Sequence, residues 1–280
     1  VGMMGLQIAK AAFGCNPIVV DVDEDKLKLA VENGASAIIS NGRDIGELPV
    51  PNIKVANPRL AASKIAAEYY GHPSKKLKVI GITGSAGKTT VKDMLYSVLS
   101  QKYNVIKTYE NQNNEVGVPL TVLKADANTD ILIVEMAIRK PGDMKLLTQI
   151  VRPNHVVITN IGRTHVQFFK HLKQLATEKS NILQNPLNWE NKNRVCYLNE
   201  TNTFYEFLLK KAQKKDFQIL PFKGQNKIDE NINLCYTVGR QFDLSDEEIK
   251  KGLEKIERSS HRMKSINHQD ITVIDDTYNS

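Results

Sequence analysis

The ten residues GITGSAGKTT, positions 81–90, constrain this chain more than any other stretch. They follow the apolar run LKVIGIT and lead into TVKDMLYSVLSQ, where Val91, Met94, Leu95, Val98 and Leu99 recur at i, i+3, i+4, i+7 and i+8, the spacing of one helical face. A strand, a glycine turn and a helix in that order put backbone N–H groups at a helix N-terminus, where an anion is stabilised. The standard phosphate-binding loop reads G-x-x-x-x-G-K-[ST], and Ile82 stands where its first glycine belongs. The stretch has the chemistry of a phosphate cradle without its length. The amides of Gly84, Ser85, Ala86 and Gly87 are expected to face the anion, Lys88 to reach β and γ oxygens, and Thr89 to offer its hydroxyl to Mg²⁺.

The rest of the chain supplies a scaffold for such a loop. Strand-like runs at YNVIKT, DILIVEM and HVVITNIG follow, with the helical pattern GDMKLLTQIV between the last two. Buried strands separated by helices predict an α/β fold, a mostly parallel sheet with helices on both faces. Earlier, GLQIAKAAF, PIVVDVD and EDKLKLAVENGA read as helix, strand and helix, and a further helix is expected near 58–70. Turn residues around GHPSKK place a domain boundary at 72–76, which predicts a smaller α/β segment over 1–76 and a larger domain over 77–280.

Composition narrows the function classes. At 280 residues with 41% hydrophobic and 25% charged positions, each domain can bury a core, and no apolar run approaches the roughly 20 residues of a spanning helix. A soluble, cytoplasmic protein with no membrane span is expected, since the three cysteines are odd in number and far apart, as neither a disulfide framework nor a metal knuckle would have them. A net charge of +7 is spread along the chain, and its one cluster, LKKAQKKD, reads as a solvated helix face, so no nucleic-acid partner is expected. The chain starts at Val1, which suggests a fragment or a processed chain.

Two more strand ends strengthen the loop reading. ILIV runs into Glu135, a carboxylate that is costly beside a buried strand without a partner such as a metal ion. VVIT runs into NIGRTH and brings His165 to the same sheet edge. Ligands of open α/β sheets bind outside the carboxyl ends of the strands, so Lys88, Thr89, Glu135 and His165 are expected to converge on a metal–nucleotide site.

These motifs resemble the Mur ligases of peptidoglycan synthesis, whose shortened loop T-G-[ST]-x-G-K-[ST] is matched by TGSAGKTT and resolves the spacing anomaly. KTYENQNNEVGVPLT, VEMAIRKPGDM, VITNIGRTH, LATEKSNIL and VIDDTYNS follow, in order, the blocks of the member that adds D-alanyl-D-alanine. The resemblance covers about 77–280 and implies a P-loop NTPase-like central domain. It also implies an ATP-dependent amide ligase that joins D-alanyl-D-alanine to a UDP-N-acetylmuramoyl tripeptide through an acyl phosphate, as a monomer. Lys88 would hold the transferring phosphate, with Gly84 to Thr90, Asn114, Arg262 and Asp276 around the nucleotide. Thr89 and Glu135 would bind a first Mg²⁺; His165 and a carbamylated Lys179 would bind a second. On its residues alone, Lys179 reads as a helix-surface lysine.

There are departures. Glu110 stands where the family usually has glycine, SSHRMK replaces the commoner G-R pair, and VQFFKH follows the histidine in place of a glycine-rich segment. The family's carboxy-terminal domain would begin where the chain ends, at Ser280, so ligation by this chain is an open expectation. Residues 35–76 resemble the neighbouring diamino-acid-adding ligase. Residues 1–34 resemble part of a medium-chain alcohol dehydrogenase cofactor domain, with Gly2 and Gly5 at its last two fingerprint glycines and Asp21 at the ribose-binding acid. A diamino-acid-adding ligase, a nicotinamide-dependent oxidoreductase fragment and a non-catalytic nucleotide-binding protein remain alternatives.

Overall fold

The computed structural model describes residues 2–42, 45–58, 60–61, 65, 77–110, 112–114, 117–162, 168–184, 193–256, 264–268 and 271–275. The chain divides into two compact units, Val1–Gly71 and His72–Ser280. The boundary expected at 72–76 lies outside the described residues, as does most of the helix expected near 58–70, of which 58, 60, 61 and 65 are helical.

The first unit is a three-stranded parallel sheet with helices. Its elements are α1 (Gly2–Phe13), β1 (Ile18–Val20), α2 (Glu24–Glu32), β2 (Ala37–Ser40) and β3 (Asn52–Lys54), with strand order β1-β2-β3. Asp23 starts α2 by accepting from the Lys26 amide at 3.1 Å, and Leu27 and Ala30 turn inward to meet Leu6, Ala35, Ile38 and Ile45.

The second unit is built on six parallel strands: β4 (Lys78–Thr83), β5 (Val105–Lys107), β6 (Ile131–Glu135), β7 (His155–Ile158), β8 (Val195–Asn199) and β9 (Gln218–Phe222). Their order is β5-β6-β4-β7-β8-β9, so β4 lies in the interior with β6 and β7 as parallel neighbours. Every residue of β6, β7 and β8 is buried, which is why these strands read as continuous apolar runs. The connecting helices are α3 (Lys88–Leu99), α4 (Gly117–Leu123), α5 (Asp143–Val151), α6 (Leu172–Lys179), α7 (Tyr205–Gln213), α8 (Lys227–Gln241) and α9 (Asp246–Glu254), and they cover both faces of the sheet. Two strands, β10 (Lys264–His268) and β11 (Ile271–Asp275), pair antiparallel beyond them.

One face of the sheet presents Ile80, Ile82, Ile131, Ile133, Val157 and Tyr197 to the apolar stripe of α3 expected from its spacing; Val91, Met94, Leu95, Val98 and Leu99 are all buried there. Helices α8 and α9 complete that layer with Leu234, Val238 and Ile249. The approach is close: a Cβ on Gly252 would lie 2.5 Å from the Val98 Cα, and the Ser97 hydroxyl donates to the Gly252 carbonyl at 2.6 Å. Burying these side chains at about 25 cal/mol per Å² fixes α3 on the sheet, and with it the loop at its start. The basic cluster at the end of α7 and just beyond it is the solvated face expected of it, with Lys210, Lys214 and Lys215 exposed.

Candidate nucleotide and metal site

The loop after β4 is clamped to the segment after β7. Thr83 ends the strand with its hydroxyl donating to the Met136 carbonyl at 3.0 Å. Gly84 follows at φ +152°, and a Cβ there would sit 1.9 Å from the Thr159 hydroxyl oxygen, so no other residue fits without displacing that side chain. The Thr159 hydroxyl donates to the Ala86 carbonyl at 2.7 Å. Ser85 exchanges two hydrogen bonds with Gly162, donating from Oγ at 3.0 Å and accepting from N–H at 2.9 Å. Gly87, at φ +81°, turns the chain into α3.

The amides of this loop do not all face outward as the sequence suggested. The Ser85 N–H donates to the Asn160 backbone carbonyl at 2.9 Å, and the Ala86 N–H donates to the Asn160 side-chain carbonyl at 2.8 Å. A shortened loop has fewer residues with which to curl round an anion, and these two amides serve instead to fasten it to the neighbouring strand end. Gly87 and the first turn of α3 present amides at a helix N-terminus, where an anion is stabilised.

Two ammonium groups converge on one carbonyl inside the loop. Lys88 Nζ donates to Gly84 O at 3.2 Å and Lys179 Nζ donates to the same oxygen at 2.8 Å. Lys179 is 1% exposed, the opposite of a helix-surface lysine. Burial and then the Lys88 charge push its pKa down to about 7, with Glu178 opposing them. Its helix, α6, is anchored by Glu178, whose Oε1 accepts from the Gly142 and Met144 amides at the start of α5, each at 3.0 Å.

Glu135, 2% exposed at the end of β6, has both oxygens held. The Thr89 hydroxyl donates to Oε2 at 2.9 Å, and the Asn113 side-chain amide donates to Oε1 at 2.9 Å. Its own N–H donates to the Thr108 hydroxyl at 3.0 Å. A hydroxyl and a carboxylate side by side at the lip of a phosphate loop are hard oxygen donors of the kind Mg²⁺ takes, together with waters and phosphate oxygens. Among the described residues, no three His, Cys, Asp or Glu side chains cluster as a metal cage.

Of the residues read from sequence, the structure brings together Gly84, Lys88, Thr89, Glu135 and Lys179. Thr90, next along α3, is exposed. Asn114 is occupied as a helix cap, its side-chain carbonyl accepting from the Gly117 N–H at 3.0 Å at the start of α4. His165, Arg262 and Asp276 lie outside the described residues. Sequence reading missed Asn113, Thr159, Asn160 and Glu178, whose partners across the site are 22 to 76 residues away and leave no local pattern.

A glycine loop, a lysine and a Thr–Glu pair at the carboxyl edge of an all-parallel sheet have the architecture of an α/β domain of the P-loop class. A model of the Mur ligase middle domain matches residues 82–260, more than half of the chain, and the chain belongs to the Mur ligase family. A second model, of zinc-binding dehydrogenase, matches residues 1–51. The UDP-N-acetylmuramoyl-tripeptide–D-alanyl-D-alanine ligase of Borreliella burgdorferi is 31% identical over 72% of this chain and 49% of its own length. The Bacillus subtilis protein of the same name is also 31% identical, over 72% of this chain and 50% of its own. The chain thus spans about half the length of the curated relatives it matches. Among solved structures, MurF ligase from Thermotoga maritima in complex with ADP is 25% identical, with a TM-score of 0.74 over 94% of this chain and 68% of its own. MurF from Acinetobacter baumannii, 24% identical, shares the fold at a TM-score of 0.79 over 94% of this chain and 65% of its own.

Proposed function

We propose that this chain carries the nucleotide-binding core of an ATP-dependent ligase that adds D-alanyl-D-alanine to a UDP-N-acetylmuramoyl tripeptide. The observation that supports it best is the joining of Lys88, Lys179 and the Thr89–Glu135 pair around one loop, in a chain 31% identical to ligases of that name. The substrate carboxylate takes the γ-phosphoryl group as its bond to the β-phosphate oxygen breaks and ADP leaves. The amine of D-alanyl-D-alanine then attacks the acyl phosphate, expelling inorganic phosphate and losing a proton. Lys88 swings from the Gly84 carbonyl onto the transferring phosphate, and Gly87 with the start of α3 holds the β-phosphate. Thr89 and Glu135 would hold the first Mg²⁺. Magnesium, when bound, supplies charge neutralisation on the phosphate oxygens.

His165 and Lys179 would serve a second ion, with Lys179 as its carbamate. The unmodified ammonium is no metal ligand, but an amine with a pKa of about 7 is substantially neutral at pH 7 and can add CO₂, losing a proton as the N–C bond forms. Arg262 and Asp276 would contact ATP, and Asn114 would border the nucleotide. Among the described residues, no helix is long and apolar enough to cross a membrane.

Phosphate release tests the reading. It should require ATP, UDP-N-acetylmuramoyl tripeptide and D-alanyl-D-alanine together, rise with bicarbonate, and vanish in Lys88→Ala. Release that ignores the dipeptide would sink it. The dehydrogenase match over 1–51 supports a second reading for the first unit alone. There Asp21 Oδ1 accepts from the Val22 and Asp23 amides at 2.7 and 3.1 Å, so a ribose would have to be met by Oδ2. NADH titration separates the two, and no NADH binding is expected.

A further inference from the structure

Lys92 is a buried charged residue of α3 that the proposed chemistry leaves without a role. It lies one turn beyond Lys88 on α3, is 2% exposed, and is among the largest fully buried side chains. Its Nζ lies 3.6 Å from Asp93 Oδ1 and donates to the Glu110 carbonyl at 3.4 Å. Asp93 is meanwhile held more tightly by Lys107, at 2.7 Å. An ammonium withdrawn from water costs several kcal/mol unless its partners compensate, and an apolar side chain would fill the same space without that cost. The observed pairing is modest for so buried a charge, and stability alone gives little reason to keep it.

The geometry suggests another reason. The segment 108–114 leaves β5 and carries the groups that hold Glu135: Thr108 on its amide and Asn113 on Oε1. Within that segment Glu110 adopts φ +42°, a left-handed conformation uncommon for a side chain of its kind, and its carbonyl is the one that meets Lys92. The helix that supplies Thr89 to Oε2 therefore also fastens, four residues on from its phosphate-facing lysine, the loop that supplies Asn113 to Oε1. Asp93, the next residue, makes a second fastening to the strand through Lys107.

We propose that Lys92 is a positioning residue: by holding the Glu110 carbonyl it fixes Asn113, and through Asn113 it fixes the orientation of the Glu135 carboxylate opposite Thr89. The inference rests on the reading of that pair as a Mg²⁺-nucleotide site, and it assigns a function to a side chain that touches neither metal nor nucleotide.

The test compares ATP affinity with Mg²⁺ and with EDTA, by calorimetry, in the wild type, Lys92→Met, Lys92→Gln, Asn113→Ala and the Lys92→Met/Asn113→Ala double variant. Lys92→Met should reduce the Mg²⁺ enhancement of affinity by about 10-fold or more, the scale of a lost hydrogen bond to a charged group. Its metal-free affinity should stay within about twofold. In the Asn113→Ala background the same substitution should add less than about twofold, because both act on one carboxylate oxygen. If Lys92→Met fails to fold, Lys92→Gln, a shorter uncharged donor, takes its place with the same criteria. Equal losses with and without Mg²⁺, full additivity, or an unchanged Mg²⁺ enhancement would each overturn the positioning role while leaving the nucleotide site intact. A wild type that binds no MgATP would overturn both.

Discussion

At the residue scale, the loop depends on one glycine and two lysines. Gly84→Ala should destabilise the second unit by about 2–3 kcal/mol, measured as a fall in the denaturant midpoint, because its Cβ would meet Thr159 Oγ1 at 1.9 Å in a backbone region closed to L-residues. Lys179 behaves differently. Its folded-state pKa is depressed from 10.5 to about 7, so the fold carries the burden of this buried amine in full below pH 7 and is relieved as pH rises from 7 towards 10.5. Lys179→Met should therefore raise stability near pH 7 by about 2 kcal/mol and flatten that alkaline rise, while abolishing phosphate release. No gain in stability would show that the ammonium is better compensated than its burial implies. Glu110 stands at φ +42°, a backbone conformation that glycine adopts without strain, and Glu110→Gly should be neutral or stabilise by about 0.5 kcal/mol in thermal unfolding.

At the scale of elements, the sequence was most legible where burial is continuous or periodic. The apolar stripe of α3 and the runs that become β4, β6 and β7 follow directly from side chains that must leave water together, and each lies where its pattern put it. The carboxylate ending β6 was legible for the same reason, since an acid after ILIV has no cheap explanation. The fastenings between elements were not legible. Asn160 reaches back 74 residues to the Ala86 amide, and Glu178 reaches 34 and 36 residues to the start of α5. Such contacts depend on which strands are neighbours, and no local spacing encodes them. Lys179 was misread on its residues alone because helical periodicity says which face is polar, not whether another element covers it. Glu178→Ala should cost about 1–2 kcal/mol, as loss of a helix cap does, whereas Glu178→Gln keeps the acceptor and should retain most of that stability. Chemical denaturation of both variants checks the pair.

At the scale of the whole molecule, the sheet separates two jobs by edge. The carboxyl ends of β4, β6 and β7 gather the phosphate loop, Glu135 and the Thr159–Gly162 clamp, while the opposite end of β7 carries a structural histidine. His155 is buried against Tyr197, its Nδ1 at 3.0 Å from the phenol oxygen, and burial together with nearby Lys78 pushes its pKa down to about 4. The folded state holds this ring neutral, so its contribution is present above the ordinary value of 6.5 and is lost as pH falls through 4, a swing of about 3 kcal/mol. Acid unfolding should begin in that window and move to lower pH in His155→Gln. The central claim, that a shortened loop fastened through Asn160 binds nucleotide phosphate, is tested most directly by titrating MgATP calorimetrically into the wild type and Lys88→Ala. The account predicts saturable 1:1 binding in the wild type that the substitution removes without lowering the unfolding midpoint; equal affinity in the two proteins, or no binding in either, would contradict it.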